Sequence, residues 1–132
     1  MDIIYKINEP VSVDEVIRVF RASGINRPVE QKQRIRKMLE HANLTVTAWD
    51  GDRLIGIARA LTDFCYCCYL SDLAVDKLYQ KNGIGKTMIG KIRDVIGDET
   101  ALILLSAPGA MEYYPKIGFE KVENGFIIRR GR

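Results

Sequence analysis

The chain has 132 residues, of which 47% are hydrophobic and 28% charged, and its formal net charge at pH 7 is +3. This length suffices for one packed core and is too short for two, so we expect a single domain over residues 1–132. The small charge argues against a nucleic-acid partner, and the lack of a run of about 20 apolar residues or a signal-peptide layout predicts a soluble, cytoplasmic protein without membrane contact.

Two helices are predicted in the first third of the chain. Residues 12–15, Ser-Val-Asp-Glu, have the form of a capping box, and apolar residues follow at helical spacing until Gly24. A turn over residues 24–28 separates this helix from a second, strongly charged helix over residues 29–41.

The middle of the chain predicts a β-hairpin followed by a third strand. Residues 44–49 alternate between apolar and polar side chains, residues 50–53 supply turn chemistry, and residues 54–61 form the second strand. The third strand covers residues 67–75. The three cysteines at its start are odd in number and lack further metal ligands nearby, so we expect buried, unreactive thiols and no metal site.

The second half of the chain is organised around a strand, helix, strand unit. Residues 84–96 place their apolar side chains on one helical face, between the strand at 67–75 and another at 101–105. A short helix over residues 110–113, ended by Pro115, and a final hairpin over 118–129 should follow. The first strands are joined by a hairpin and are therefore antiparallel, whereas the later strands are joined through a helix. This arrangement predicts an α/β fold of the α+β type, with a mixed, mostly antiparallel sheet.

The loop from Gln80 to Gly85 predicts an anion site at a helix N-terminus. Two glycines one residue apart let backbone N–H groups approach a phosphate without Cβ obstruction. A helix-capping turn without a ligand explains Gly83 and Gly85 equally well when they are taken alone.

The Gly-Lys-Thr at residues 85–87 resembles the end of a Walker A motif, but Gln80 replaces its first glycine and the next strand carries no acidic residue for magnesium. The dinucleotide fingerprint fails too, because Met88 stands where its third glycine belongs.

Three segments, in order, resemble the GNAT superfamily of acetyl-coenzyme A-dependent N-acetyltransferases. They are the hairpin at residues 49–56, the strand and Gln-x-x-Gly-x-Gly loop within residues 70–90, and the Tyr-Tyr-Pro-Lys-Ile-Gly-Phe region within 106–119. The resemblance implies transfer of an acetyl group from acetyl-CoA to a primary amine by direct attack. It also implies a central pair of parallel strands that splay apart, flanked by about four helices.

The resemblance further implies the residues that bind the cofactor. The pyrophosphate should lie over the glycine loop and the first helical turn, and the pantetheine amides should pair with a bulged strand. The resulting set is Leu73, Ala74, Val75, Gln80, Lys81, Asn82, Gly83, Ile84, Gly85, Lys86 and Thr87.

Two residues are candidates for acid and base catalysis. Tyr114, four residues before Gly118, matches the family tyrosine that protonates the leaving sulfur, and an ordinary phenol pKa of about 10 keeps it protonated at neutral pH. Packing alone would also account for this tyrosine. Asp72 is the candidate general base, although a strand aspartate equally suits a hydrogen bond to a neighbouring loop.

The acceptor pocket is expected between the loop that joins the first two helices and the central strands. Its candidate contacts are Asn26, Arg27, Arg59 and Asp63, and a solvated ion pair explains the last two as well. The acceptor is a small-molecule amine or a peptide amine, and a homodimer is left open. A non-catalytic module that senses acyl-CoA is the alternative function.

Overall fold

The computed structural model describes residues 2–132, which form five strands and four α-helices. In chain order they are β1 (Ile3–Ile7), α1 (Val13–Ser23), α2 (Lys32–His41), β2 (Leu44–Asp50), β3 (Arg53–Thr62), β4 (Cys67–Val75), α3 (Ile84–Ile96), β5 (Ala101–Ile103) and α4 (Tyr113–Lys116). Single 3-10 turns occupy Lys77–Tyr79 and Pro108–Ala110. None of the helices within residues 2–132 has the length and apolar character that a membrane span requires.

The capping signals place α1 where the sequence predicts it. Ser12 accepts a hydrogen bond from the backbone N–H of Glu15 at 3.3 Å, and Gly24 ends the helix at φ 82°. The second helix begins at Lys32, three residues later than predicted, because residues 27–31 form turns in which Gln31 N–H donates to Pro28 O. The short helix at 110–113 is also corrected: α4 starts at Tyr113 and contains Pro115, whose missing N–H costs nothing within a first helical turn.

The strands form one sheet in the order β1-β2-β3-β4-β5, with every pair antiparallel except β4 and β5. The predicted fold class is therefore confirmed. β1, for which the sequence pattern gave no prediction, pairs along its length with β2. Helix α3 covers one face of the sheet with a row of buried side chains, whereas α1 and Ile35 of α2 cover the other face.

Two β-bulges in the central strands change the face of the sheet to which the following side chains point. In β3 the pairing with β2 passes from Gly56 to Leu54, so Ile55 is the extra residue. In β4 the partners of Arg59 and Ala60 are Asp72 and Leu70, which leaves Ser71 unpaired. A one-residue insertion sends all later side chains to the opposite face. Leu70 accordingly packs in the α3 cluster, and Ala74, four residues on, packs in the α1 cluster.

The parallel pair is short and its strands separate early. Pairing runs only from Cys67 and Ala101 to Tyr69 and Ile103, after which β4 continues without β5 to Val75. Contrary to expectation, this pair lies at the end of the strand order and not at its centre. The reason is that residues 118–129 form no strand in the described chain, so the predicted final hairpin is absent.

The thiols of the β4 region differ from the prediction. Cys68 is buried, but Cys65 and Cys67 are exposed because the strand alternates faces and its start projects beyond the core. The carboxylate of Asp63 raises the pKa of the Cys65 thiol, since a nearby negative charge opposes formation of a thiolate. Cys65 is therefore exposed but poorly ionised at neutral pH.

We predict that Gly56→Val lowers the free energy of unfolding by about 1–3 kcal/mol, because added methyl groups overpack the interface between β3 and α3. A Cβ on Gly56 would already lie 3.2 Å from Met88 Cε and 3.4 Å from Ala74 O. Urea denaturation measures the change. The matched control is Gly90→Val, where a Cβ meets nothing within 4 Å, and this variant should stay within about 0.5 kcal/mol of the parent. Equal effects in both would contradict the packing argument.

Candidate functional site

The loop after β4 is anchored by a buried aspartate. Asp76 accepts a hydrogen bond from Leu78 N–H at 2.9 Å, and its own N–H donates to Ile55 O at 2.8 Å. The guanidinium groups of Arg53 and Arg18 lie 3.5 and 3.9 Å from its second oxygen. This carboxylate therefore fixes the direction in which the chain leaves the sheet.

The next part of the loop is held by a hydrogen bond to β2 and by hydrogen bonds that its own side chains make. Tyr79 donates its hydroxyl proton to Asp50 at 2.6 Å, and this bond to a carboxylate raises the pKa of Tyr79. The side-chain amide of Gln80 donates to Val75 O at 2.9 Å, and that of Asn82 donates to Tyr79 O at 2.9 Å. The carbonyl groups of Val75, Tyr79 and Gln80 thus accept hydrogen bonds from side chains of the loop itself.

The backbone N–H groups of residues 81–86 are left available. Within the described chain, no acceptor hydrogen-bonds to any of them. Lys81 and Gly83 take left-handed conformations with φ 70° and 75°, which turn the loop into α3. The hydroxyl of Thr87 donates to Gly83 O at 2.9 Å, so it closes the first helical turn. Free N–H groups at a helix N-terminus attract anions.

Gly85 faces a narrow cleft between α3, β4 and α4. A Cβ placed on it would lie 3.1 Å from Tyr113 Oη, 3.8 Å from Leu73 Cδ2 and 4.0 Å from Val75 Cγ2. Leu73 and Val75 are half-buried on this side of the sheet, whereas Ala74 is buried on the other. The expected strand triplet therefore divides between the two faces, and the bulge that redirects it lies earlier than expected, at Ser71.

Two adjacent tyrosines stand at the wall of this cleft. The rings of Tyr113 and Tyr114 contact edge to face with centroids 5.3 Å apart, and Tyr114 makes a similar contact with Phe119 at 5.4 Å. Burial raises the pKa of both phenols; for Tyr114, neighbouring Tyr113 adds to the rise and the positive charge of Arg27 opposes it. Both tyrosines therefore carry their protons at neutral pH.

A buried ionic network lies behind the cleft. Asp72 is fully buried, and its two oxygens accept hydrogen bonds from Nε of Arg27 at 2.6 Å and Nε of Arg59 at 2.5 Å. The same arginines also bind the bulged residue, because Arg27 Nη2 donates to Ser71 O at 2.6 Å and Arg59 Nη2 donates to Ser71 Oγ at 2.9 Å. The network ties the loop between α1 and α2 to the bulge in β4.

This geometry corrects the expectation that Asp72 acts as a general base. A base must be reachable by the proton that it accepts, and Asp72 has no exposed surface and two cationic partners. The expectation for Arg59 is corrected for the same reason, since its buried guanidinium is engaged by Asp72 and Ser71. Removal of either partner would leave an uncompensated buried charge.

The other expected acceptor contacts differ in their surroundings. Asp63 accepts three backbone N–H bonds, from Cys65, Tyr66 and Cys67, which hold the pKa of its carboxyl well below the usual range. It is therefore a turn residue. Asn26 is exposed, and its carbonyl accepts a bond from Arg27 Nη1 at 2.7 Å. Arg27, one quarter exposed, links this loop to the tyrosine wall.

Sequence reasoning missed four contributors to the site: Asp76, Tyr79, Asp50 and Tyr113. An aspartate two residues before a satisfied N–H is a recognisable cap, so Asp76 had a local signal. Tyr79 and Asp50 had none, because 29 residues separate them. Two surface pockets elsewhere, of about 390 Å³ near Glu9 and 150 Å³ near Gly97, include none of the expected residues.

Comparison with known proteins gives a consistent result. The family model of the acetyltransferase (GNAT) domain matches residues 10–129. An uncharacterized ycf52-like N-acetyltransferase from Prochlorococcus marinus is 29% identical over 99 residues, which are 70% of this chain and 53% of that protein. The chain spans about half of the length of this relative and about a third of the length of the soybean histone acetyltransferase TAP1, which it also matches.

Solved structures share the fold. A probable acetyltransferase from meticillin-resistant Staphylococcus aureus superposes with a TM-score of 0.79 at 25% identity, covering 96% of this chain and all of that one. The aminoglycoside N-acetyltransferase AAC(6')-Iy, solved in complex with CoA, gives a TM-score of 0.73 over 99% of this chain and 96% of its own. At 14% identity, this second likeness concerns the fold alone.

We predict that Asp72→Asn lowers the free energy of unfolding by about 3–5 kcal/mol, because it removes the charge that balances the buried guanidinium of Arg59 and the partly buried one of Arg27. Chemical denaturation followed by tryptophan fluorescence measures this. The matched control is Glu30→Gln, which breaks an exposed pair with Arg21 and should change stability by less than about 1 kcal/mol. A loss at Asp72 no larger than at Glu30 would show that the network does not hold the bulge.

Proposed function

This chain belongs to the GNAT acetyltransferase family, and from that premise we propose that it transfers an acetyl group from acetyl-CoA to a primary amine by direct attack in a ternary complex. The proposal assigns this activity to one acetyltransferase domain. The observation that carries it is the row of backbone N–H groups at residues 81–86 that have no acceptor among residues 2–132, set beside the cleft that Gly85 faces.

The glycine loop suits the pyrophosphate of coenzyme A. Backbone N–H groups from Lys81 to Lys86 are the proposed donors, strengthened by the positive end of α3. Gln80, Asn82 and Thr87 act indirectly in this proposal, because their side chains bind backbone groups of the loop and its flanks. Each expected cofactor residue of the loop therefore has a role, either as a donor or as a support for donors.

The free side of β4 suits the pantetheine arm. Because β5 pairs with β4 only as far as Tyr69, the residues that follow have no neighbour on that side within the described chain. Leu73, Ala74 and Val75 are proposed to pair there with amide groups of the ligand. Bound acetyl-CoA supplies the acetyl group as a thioester, which is the activated form that an amine can attack.

Tyr114 is the proposed general acid. Its raised pKa keeps the hydroxyl proton in place at neutral pH, where it is available to the departing thiolate. Tyr113 is proposed to line the cofactor cleft, since its hydroxyl lies against Gly85. In this proposal Tyr114 transfers the proton and Tyr113 helps to position the cofactor.

The proposed acceptor is a small-molecule or peptide primary amine that enters beside the loop between α1 and α2. Asn26 and Arg27 remain as acceptor contacts, since both lie at the surface of this loop. An amine acceptor is consistent with the aminoglycoside N-acetyltransferase whose fold the chain shares.

We predict that Gly85→Val weakens CoA binding at least about tenfold, because the added side chain fills the cleft between Leu73 and Tyr113. Isothermal titration with CoA measures the dissociation constant. Gly90→Val carries the same change on the same helix, points into open space and should bind as the parent does. Unchanged affinity in Gly85→Val would place the cofactor elsewhere.

We also predict that Tyr114→Phe lowers kcat by about a hundredfold, the usual contribution of a positioned acid, while Tyr113→Phe changes it little. Thiol release over a panel of amines measures kcat. Because the acid works only when protonated and burial raises its pKa, the parent rate should fall only at a pH above the ordinary range of a phenol, and Tyr114→Phe should lack that fall. The reverse pattern would assign the acid to Tyr113, and CoA binding without turnover of any amine would favour the acyl-CoA sensor.

A further inference from the structure

The positive charge of the chain is concentrated beside the proposed acceptor site. Residues 27–41 hold the end of the loop between α1 and α2 and the whole of α2. The charged residues of this segment, with His41 neutral, are Arg27, Glu30, Lys32, Arg34, Arg36, Lys37 and Glu40. The segment therefore has a net charge of +3, which is the net charge of the whole chain, so the other residues are neutral in sum.

Part of this charge has no counterpart in the protein. Lys32 pairs with Asp14 of α1 at 3.0 Å, but Arg36 and Lys37 form no salt bridge with any carboxylate of residues 2–132. Helix α2 also borders the ionic network, because Nη1 of Arg59 donates to Met38 O at 3.4 Å. The acceptor side of the molecule therefore attracts anions.

Arg27 offers two N–H groups to a ligand at the exposed edge of the network. A guanidinium has five N–H donors. Three of those of Arg27 donate to Asp72 Oδ1 at 2.6 Å, to Asn26 O at 2.7 Å and to Ser71 O at 2.6 Å. The other two have no acceptor among residues 2–132, and the side chain is one quarter exposed. A carboxylate is a ligand that such a pair of donors binds well.

The network itself has one positive charge in excess. Arg27 and Arg59 both pair with Asp72, so one carboxylate balances two guanidinium groups. Partly buried charges are screened less than charges in open water. The charge of Arg27 also reaches the proposed acid, since it opposes the rise in the pKa of Tyr114 that burial causes. An acceptor placed for proton transfer by Tyr114 therefore lies within the electrostatic influence of Arg27.

We propose that the acceptor is a primary amine that also carries a carboxylate, and that Arg27 binds this carboxylate while the amine faces the thioester. The inference rests on the proposed acetyl transfer and names its substrate class. The reaction is the same: the amine nitrogen bonds to the acetyl carbon, the carbon–sulfur bond breaks, the thiolate takes a proton from Tyr114, and the amine releases a proton to water. Amines with several positive charges are poor acceptors, because residues 27–41 repel them.

Pairs of amines that differ only in charge test this substrate class. The small pairs are β-alanine, γ-aminobutyrate and ε-aminocaproate, each with its carboxamide, and a peptide pair places glutamate or glutamine beside a lysine. With the full chain and acetyl-CoA, kcat/KM per neutral amine should be at least about tenfold higher for the carboxylate of the best pair. This ratio should fall as salt is added, because ions screen the attraction. A preference in the small pairs identifies an amino acid, and one confined to the peptides identifies an acidic peptide.

Variants of the segment then test the role of Arg27. Arg27→Gln should lower the ratio to about one, and Arg27→Lys should keep part of it, because lysine retains the charge but not the paired donors. Both amines of a pair meet the same enzyme preparation, so a loss of folded protein does not change the ratio. If Arg27→Gln does not fold, Arg36→Gln with Lys37→Gln gives the second measurement and should lower the ratio about two- to threefold at low salt. The matched control is Lys91→Gln with Arg93→Gln on α3, across the sheet, which should keep the parent ratio.

The outcomes separate this inference from the proposed function. A parent enzyme that acetylates carboxamides or spermidine as well as the carboxylates would overturn the inference and leave acetyl transfer intact. A ratio that neither Arg27→Gln nor the double variant on α2 lowers would do the same. Binding of CoA without turnover of any amine would overturn the proposed transfer, and the inference with it.

Discussion

One inserted residue in β4, Ser71, is the constraint on which the site depends. The bulge reverses the faces of the strand, so Leu70 packs under α3 while Asp72 turns toward α1 and α2. Asp72 can face that way only because Arg27 and Arg59 meet its charge, and both also bind the bulge itself. Burial of Asp72 and Arg59 is tolerated because each is paired and hydrogen-bonded, and Arg27 at the edge of the network adds a second cation.

The position of the glycine loop depends on β4, the strand that this network holds in place. After the bulge, β4 is not paired with β5. The strand leads into Asp76, whose side chain caps the 3-10 turn that follows. Tyr79 then holds the loop to Asp50 at the β2–β3 turn. The carbonyl groups of Tyr79, Gln80 and Gly83 accept hydrogen bonds from side chains, whereas the N–H groups of residues 81–86 have no acceptor within the described chain and are left for a ligand. An anion site made of backbone is rigid only when such supports are in place.

The tyrosine wall connects the ionic network to the chain that follows α4. Tyr114 packs against Phe119 with ring centroids 5.4 Å apart, and the positive charge of Arg27 opposes the rise in the pKa of Tyr114 that burial causes. The proposed acid therefore contacts the segment after α4 and lies within the electrostatic influence of the network.

The elements whose signals are local could be predicted from the amino-acid sequence. The capping box of α1, the turn at residues 50–53, the apolar face of α3 and the glycines of the loop all lie within a few residues of what they specify. These signals sufficed for the fold class and for the place of the loop. Tertiary structure alone decided that Asp72 is buried between two arginines, because 45 and 13 residues separate it from them. It also decided that the final hairpin does not form, because a strand needs hydrogen bonds to a neighbouring edge and an alternating pattern does not by itself provide that edge.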